Sequence, residues 1–161
     1  MGKYQIVLTL LVVLLAIASG WLCSRVSGLE KALQEADQPD LYMVMTSMQA
    51  QQHKLYYAIE AENADLTDFY LHELEEASEA LIDADLHYDG HPVGRLTESM
   101  LIPVIEGMED DLDQGHWDRL REKRTVLAGT CNSCHAATDH GYIRITERGE
   151  VNPFNQDFST R

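Results

Sequence analysis

Between residues 41 and 134, apolar side chains recur every three or four positions in four successive runs. A chain patterned in this way buries its apolar surface most readily as packed helices. In the first run, Leu41, Met45, Met48, Gln52, Leu55, Ile59 and Glu62 share one stripe. Asn63-Ala64-Asp65 supplies a break and a cap, and Leu66, Phe69, Tyr70, Leu74, Ala77 and Leu81 trace the second. Tyr88-Asp89-Gly90-His91-Pro92 has turn chemistry. The third run, residues 93–112, carries Leu96, Met100, Val104 and Met108 on one side, and Pro103 must kink or split it. After Asp113-Gln114-Gly115, the fourth places Trp117, Leu120, Arg124, Leu127, Cys131 and Cys134 on one stripe. No useful strand alternation precedes Tyr142 and the connections are short. The expected fold is therefore all-α, an up-down-up-down four-helix bundle over residues 41–135. Residues 136–161, with Gly141, Gly149 and Pro153, are expected to form an extended C-terminal tail.

The N-terminus imposes a second constraint. Residues 6–22 are uncharged and apolar and follow Lys3, so the segment can engage export machinery as a signal or as a membrane helix. Residues 1–23 are expected to be a signal anchor that stays in the membrane. Val26, Leu29 and Leu33 continue the helical spacing into a stalk over residues 24–40, closed by Gln38-Pro39-Asp40. Cleavage after Ala16-Ile17-Ala18 remains the alternative, and would give a soluble periplasmic protein. Leu22 is too large for a lipid-attachment site at Cys23.

With 27 acidic against 12 basic residues the net charge is −15, which disfavours nucleic acid and anionic lipid headgroups as partners. Eleven carboxylates lie between Glu60 and Asp89 without a lysine or arginine. Such a field suits a partner protein with a basic docking patch.

Two of the three cysteines stand in Cys131-Asn132-Ser133-Cys134-His135. Cys-x-x-Cys-His is the attachment signature of c-type haem: two thiols on one helical turn form thioethers to the vinyl groups, and the adjacent histidine is the proximal iron ligand. Attachment of this kind takes place outside the cytoplasm, in agreement with the export segment. The competing readings are a zinc site from Cys131, Cys134, His135 and His140, a thioredoxin-type dithiol, and a plain disulfide. Zinc is disfavoured because neighbours in sequence cannot easily share one tetrahedral ion. The dithiol lacks its strand context. His53, His72, His87, His91, His116 and His140 show no i, i+4 pairing within a helix and are mostly expected to be surface or turn residues, and the Glu-x-x-His pairs of a di-iron bundle are absent from the sequence. Trp117, Tyr56, Tyr57, Phe69 and Tyr70 are candidates for lining a haem pocket, although core packing is the commoner use of such residues.

A four-helix pattern with its Cys-x-x-Cys-His in the last helix resembles cytochrome c′ and its low-spin relatives over residues 41–135. The resemblance implies one covalent haem c inside the bundle, His135 as proximal ligand and a distal residue from the first helix. Asp139, where cytochrome c′ usually has a basic residue, and the continuation to Arg161 depart from that family. Met45 to Gln49, Lys54-Leu55 and Pro153-Phe154-Asn155-Gln156 resemble instead a group of membrane-anchored monohaem proteins. In an up-down-up-down order the end of the fourth helix lies beside the start of the first. Met45 is therefore the expected distal ligand, with Met48 as its substitute. The expected function is electron transfer on the periplasmic side of a bacterial inner membrane. The alternatives are capture of NO or CO by five-coordinate iron and, less favoured, a peroxidase using His53. Homodimerisation stays open.

Overall fold

The computed structural model describes residues 2–36, 38–146 and 153, and its regular structure is helical: no strand occurs among the described residues. Among the described residues six helices follow one another: α1 (Lys3–Ala36), α2 (Leu41–Glu60), α3 (Ala64–Asp83), α4 (Val93–Met100), α5 (Ile102–Asp113) and α6 (Trp117–Ala137). The chain divides into two compact units, Met1–Gln38 and Pro39–Arg161.

In the first unit, α1 continues without a break into the expected stalk, as far as Ala36. Its stretch Lys3–Glu30 is long and apolar enough to cross a membrane, and none of its most apolar window is buried. At 1.5 Å per residue its 28 residues span about 42 Å, more than the ~30 Å hydrocarbon core requires. The same properties suit a membrane anchor or an export signal.

In the second unit the starts of α2, α3 and α5 follow from local chemistry. Asp40 caps α2, its Oδ1 accepting from the N–H groups of Tyr42 (3.0 Å) and Met43 (3.2 Å). Asn63 caps α3 by accepting from Leu66 N–H (3.1 Å). Pro103 falls in the first turn of α5, where its missing N–H costs nothing, so the third apolar run is two helices meeting at Leu101. Asp89 and Gly90, both left-handed, form the turn that closes the Tyr88–His91 bridge.

Helix α2 packs on α3 and α6, α3 on α4 and α5, and α6 on α5 and α4. Leu55, Ile59, Leu71, Leu81, Ile105, Met108, Leu120 and Leu127 are the largest fully buried apolar side chains of the shared core. The α3–α4 approach is close enough to require glycine: a Cβ at Gly94 would lie 2.5 Å from the Leu81 carbonyl oxygen. Two stripe assignments change. Glu62 lies beyond the end of α2 in a left-handed conformation and pairs with Arg121 instead of facing the core. Phe69 is half exposed, and Thr67, Leu71 and Ser78 take the buried positions of α3 beside Tyr70, Leu74 and Leu81.

Beyond α6 the chain reverses. Thr138 is the last capping residue and Asp139 adopts φ 62°, so His140 N–H donates to the His135 carbonyl (2.7 Å) in the manner of a Schellman motif. Residues 143–146 then run back without helix or strand. Of the expected tail, residues 147–152 and 154–161, with most of the Pro153-Phe154-Asn155-Gln156 stretch, lie outside the described residues.

Candidate functional site

A cavity of about 520 Å³ opens where the start of α2, the α3–α4 connection and the end of α6 come together, and its lining is mostly apolar. This is within the range of small-molecule and cofactor pockets. Cys131, Cys134 and His135 lie on its α6 wall, and Met45 and Met48 line it from α2. Leu86, Val93, Leu96 and Leu101 form the wall contributed by the α3–α4 region. Ile143 and Ile145 add the returning tail.

The two cysteines are three residues apart on the last full turns of α6, half-buried, and carry free thiols. Burial pushes the Cys131 thiol up to about 11, with the neighbouring Cys134 adding to the rise; burial also raises Cys134. A dithiol redox centre needs the opposite, a thiol lowered by a helix N-terminus or a nearby cation. These two sit at a helix C-terminus, where the dipole disfavours thiolate. The redox-dithiol reading therefore loses support. Among the described residues no group of three or more His, Cys, Asp or Glu side chains converges to hold a bare ion. Cys131, Cys134, His135 and His140 therefore do not form such a group here.

His135 carries the most informative contact. Its Nδ1 lies 2.9 Å from the carbonyl oxygen of Ile143. A carbonyl only accepts, so in the neutral ring the proton belongs on Nδ1, and Nε2 keeps its lone pair. Iron-ligating histidines are commonly oriented in this way. His140, read from sequence as a surface or turn residue, also lines the cavity; its Nδ1 lies 2.5 Å from the Thr138 carbonyl. Its ring contacts Tyr88 and Tyr142, with centroids 5.8 and 5.7 Å away.

A covalently attached haem fits this donor set: an apolar chamber with two thiols and one imidazole on one wall and two thioethers on another. Met45 is half-buried and packs against the core, whereas Met48 belongs to the core at 8% exposure. His53 stacks on Tyr57 at 5.4 Å and does not line the cavity, so it is badly placed for distal acid-base work. None of Trp117, Tyr56, Tyr57, Phe69 and Tyr70 lines it either; Tyr42 and Tyr88 do, beside the two imidazoles of His135 and His140. Sequence reading passed over Asn132, whose side chain binds the Ile145 backbone, and the Ile143 carbonyl, because both contacts join segments that periodicity does not relate. Comparison with protein-family models, curated proteins and solved structures finds no match to the chain.

Proposed function

We propose that this chain is a monohaem c-type cytochrome that transfers electrons on the periplasmic side of a bacterial inner membrane, held there by α1. The observation that carries the reading is the convergence of Cys131, Cys134 and His135 on one wall of an apolar cavity, with His135 Nδ1 2.9 Å from the Ile143 carbonyl oxygen. Cys131 and Cys134 hold the haem as thioethers, His135 is the proximal ligand and Met45 the distal one, with Met48 as substitute. A haem so held supplies reversible one-electron exchange. The protein's part is to exclude water with Leu86, Val93, Leu96 and Leu101 and to keep both ligands in place. The overall fold that goes with this reading is an up-down-up-down bundle with α4 and α5 counted as one broken helix. The pairing of α2 with α3 and α6, and of α5 with α6, supports it. The net charge of −15 favours a redox partner with a basic patch.

Expression of the full chain with haem-attachment machinery tests the proposal. The mass should rise by one haem, the haem stain should survive denaturing electrophoresis, and Cys131→Ala with Cys134→Ala should abolish it. An unmodified wild-type mass sinks the reading. A high-spin spectrum that binds carbon monoxide readily would keep the haem but move the function to gas capture.

A further inference from the structure

Position 132 is a spacer as far as thioether formation is concerned, yet Asn132 is the most heavily bonded side chain of the motif. Ile145 N–H donates to its Oδ1 (2.7 Å), and its Nδ2 donates to the Ile145 carbonyl (2.9 Å). A side-chain amide that satisfies the donor and acceptor of one residue fixes that residue in both position and orientation. Ile145 lies two residues beyond Ile143, whose carbonyl accepts from His135 Nδ1. The left-handed Asp139 brings the chain back, and Ile143 N–H donates to the His140 carbonyl (2.8 Å). On the far side, Gln52 of α2, only 6% exposed, donates to the Thr146 carbonyl at 3.4 Å.

We infer that Asn132 is a positioning residue: by pinning Ile145 it holds residues 143–146 as a strap across the end of α6, and the strap's Ile143 carbonyl sets the tautomer of His135. Ile143 N–H is held in the turn at the strap's start, and the Thr146 carbonyl accepts the long bond from Gln52. The two short bonds to Asn132 hold the residue between them, Ile145. Ile143 and Ile145 also face the cavity, so the same clamp keeps its wall in place. The tautomer is a property of the chain alone, while its consequence for iron rests on the haem reading above. A hydrogen bond to Nδ1 makes the ring a stronger donor through Nε2.

Nitrogen-15 NMR of the histidine rings in the full chain isolated without haem reads the tautomer directly. Wild type should show His135 protonated on Nδ1. Asn132→Ala should move the ratio about fivefold toward Nε2–H, the worth of one net hydrogen bond. Ser133→Ala is the internal control, since the Ser133 hydroxyl donates only to the Gly129 carbonyl (2.8 Å), and it should leave the ratio unchanged. Asn132→Asp keeps the acceptor for Ile145 N–H and should fall between; it carries the test if Asn132→Ala does not fold. A wild-type ring protonated on Nε2, or a folded Asn132 variant with the wild-type ratio, overturns the inference. With haem bound, iron on Nε2 forces the proton onto Nδ1, and the exchange rate of that proton becomes the readout. It should rise about fivefold in Asn132→Ala, accompanied by a positive shift in reduction potential that Ser133→Ala lacks. An unaltered exchange rate overturns the inference. If the tautomer responds as expected in a chain that never takes up haem, the clamp stands and the haem reading falls.

Discussion

The two halves of α6 are built on opposite principles. Residues 117–128 contain six of the chain's charged side chains, whereas residues 129–137 contain no aspartate, glutamate, lysine or arginine. In the first half, Arg119 and Lys123 meet the buried Asp111 at 3.1 and 2.6 Å, and Lys123 also donates to the Gly107 carbonyl. Arg121 and Arg124 reach Glu62 (2.5 Å) and Glu60 (2.6 Å), with the Arg124 guanidinium 4.5 Å from the Tyr56 ring centroid. Leu120 and Leu127 drive into the core between these pairs. In the second half, small residues leave room for a cavity, and the polar bonds run to one short strap. The comparison teaches that the helix is anchored to α2 and α5 by its first three turns. The last two are then free to present thiols and an imidazole instead of packing.

The largest effects are expected in the anchored half. Leu120→Ala removes a side chain with no exposed surface and should cost about 2–5 kcal/mol in denaturant unfolding. Alanine at both Cys131 and Cys134, half-buried beside a cavity, should cost far less while removing haem altogether. Equal costs for the two variants would dissolve the contrast between the halves.

Asp111 ranks next and has a pH signature. Its carboxyl is held below the usual range, chiefly by the hydrogen bond from Lys123, against the opposing effect of burial; Arg119 and His116 add to the lowering. A carboxylate whose folded pKa lies below its unfolded value contributes stability that is complete above the unfolded pKa, near 4. That contribution is lost as pH falls through the folded value. Melting temperature should therefore decline more steeply below about pH 4 in wild type than in Asp111→Asn, and parallel acid profiles would remove Asp111 from the anchor.

The same division governs what was legible in the sequence. Spacing by threes and fours identified the helices, because each face is a local property of its own segment. Asn63 and Pro103 marked a start and a break for equally local reasons. The motif residues were legible because the chemistry demands adjacency. Spacing names a face without naming what meets it, however. Phe69 fits its stripe and still points outward, and Glu62 lies past a helix end set by the left-handed turn. Nothing in the local sequence marks Asp111 as the buried partner of Arg119 and Lys123. The strap depends on Asp139 reversing the chain, and a single aspartate after a helix is too weak a signal to foretell the contact between Ile143 and His135. The cavity's aromatic lining came from Tyr42 and Tyr88, beside the imidazoles of His135 and His140, because only the assembled turns bring them together.

The methionines sharpen the comparison from across the cavity. Met48→Ala, at a core position, should cost about 2 kcal/mol or more, and Met45→Ala, half-buried, should cost less. The haem spectrum should respond in the reverse order, with the weak long-wavelength sulfur-to-iron absorption lost in Met45→Ala and kept in Met48→Ala. Loss in Met48→Ala alone would transfer the distal assignment to Met48.

The smallest effect is expected at the junction of the halves, and it has the opposite sign. Gly129 lies inside α6, exposed, with a right-handed backbone, and a Cβ built there meets nothing within 4 Å. Glycine in a helix interior leaves the unfolded chain more freedom to lose than alanine does. Gly129→Ala should therefore stabilise the protein by about 0.5–1 kcal/mol. It should leave haem attachment and the His135 tautomer unchanged, because the Gly129 carbonyl that accepts from Ser133 is backbone and survives the substitution. The gain matters for more than its size. If the second half of α6 is held in line mainly by the first, stiffening the residue where they join should raise the protection of amide hydrogens in residues 130–137 more than in residues 117–128. Amide hydrogen exchange on Gly129→Ala measures this directly. Uniform protection along α6 would mean that the helix responds as one rod, and that its two halves differ in chemistry without differing in how firmly they are held.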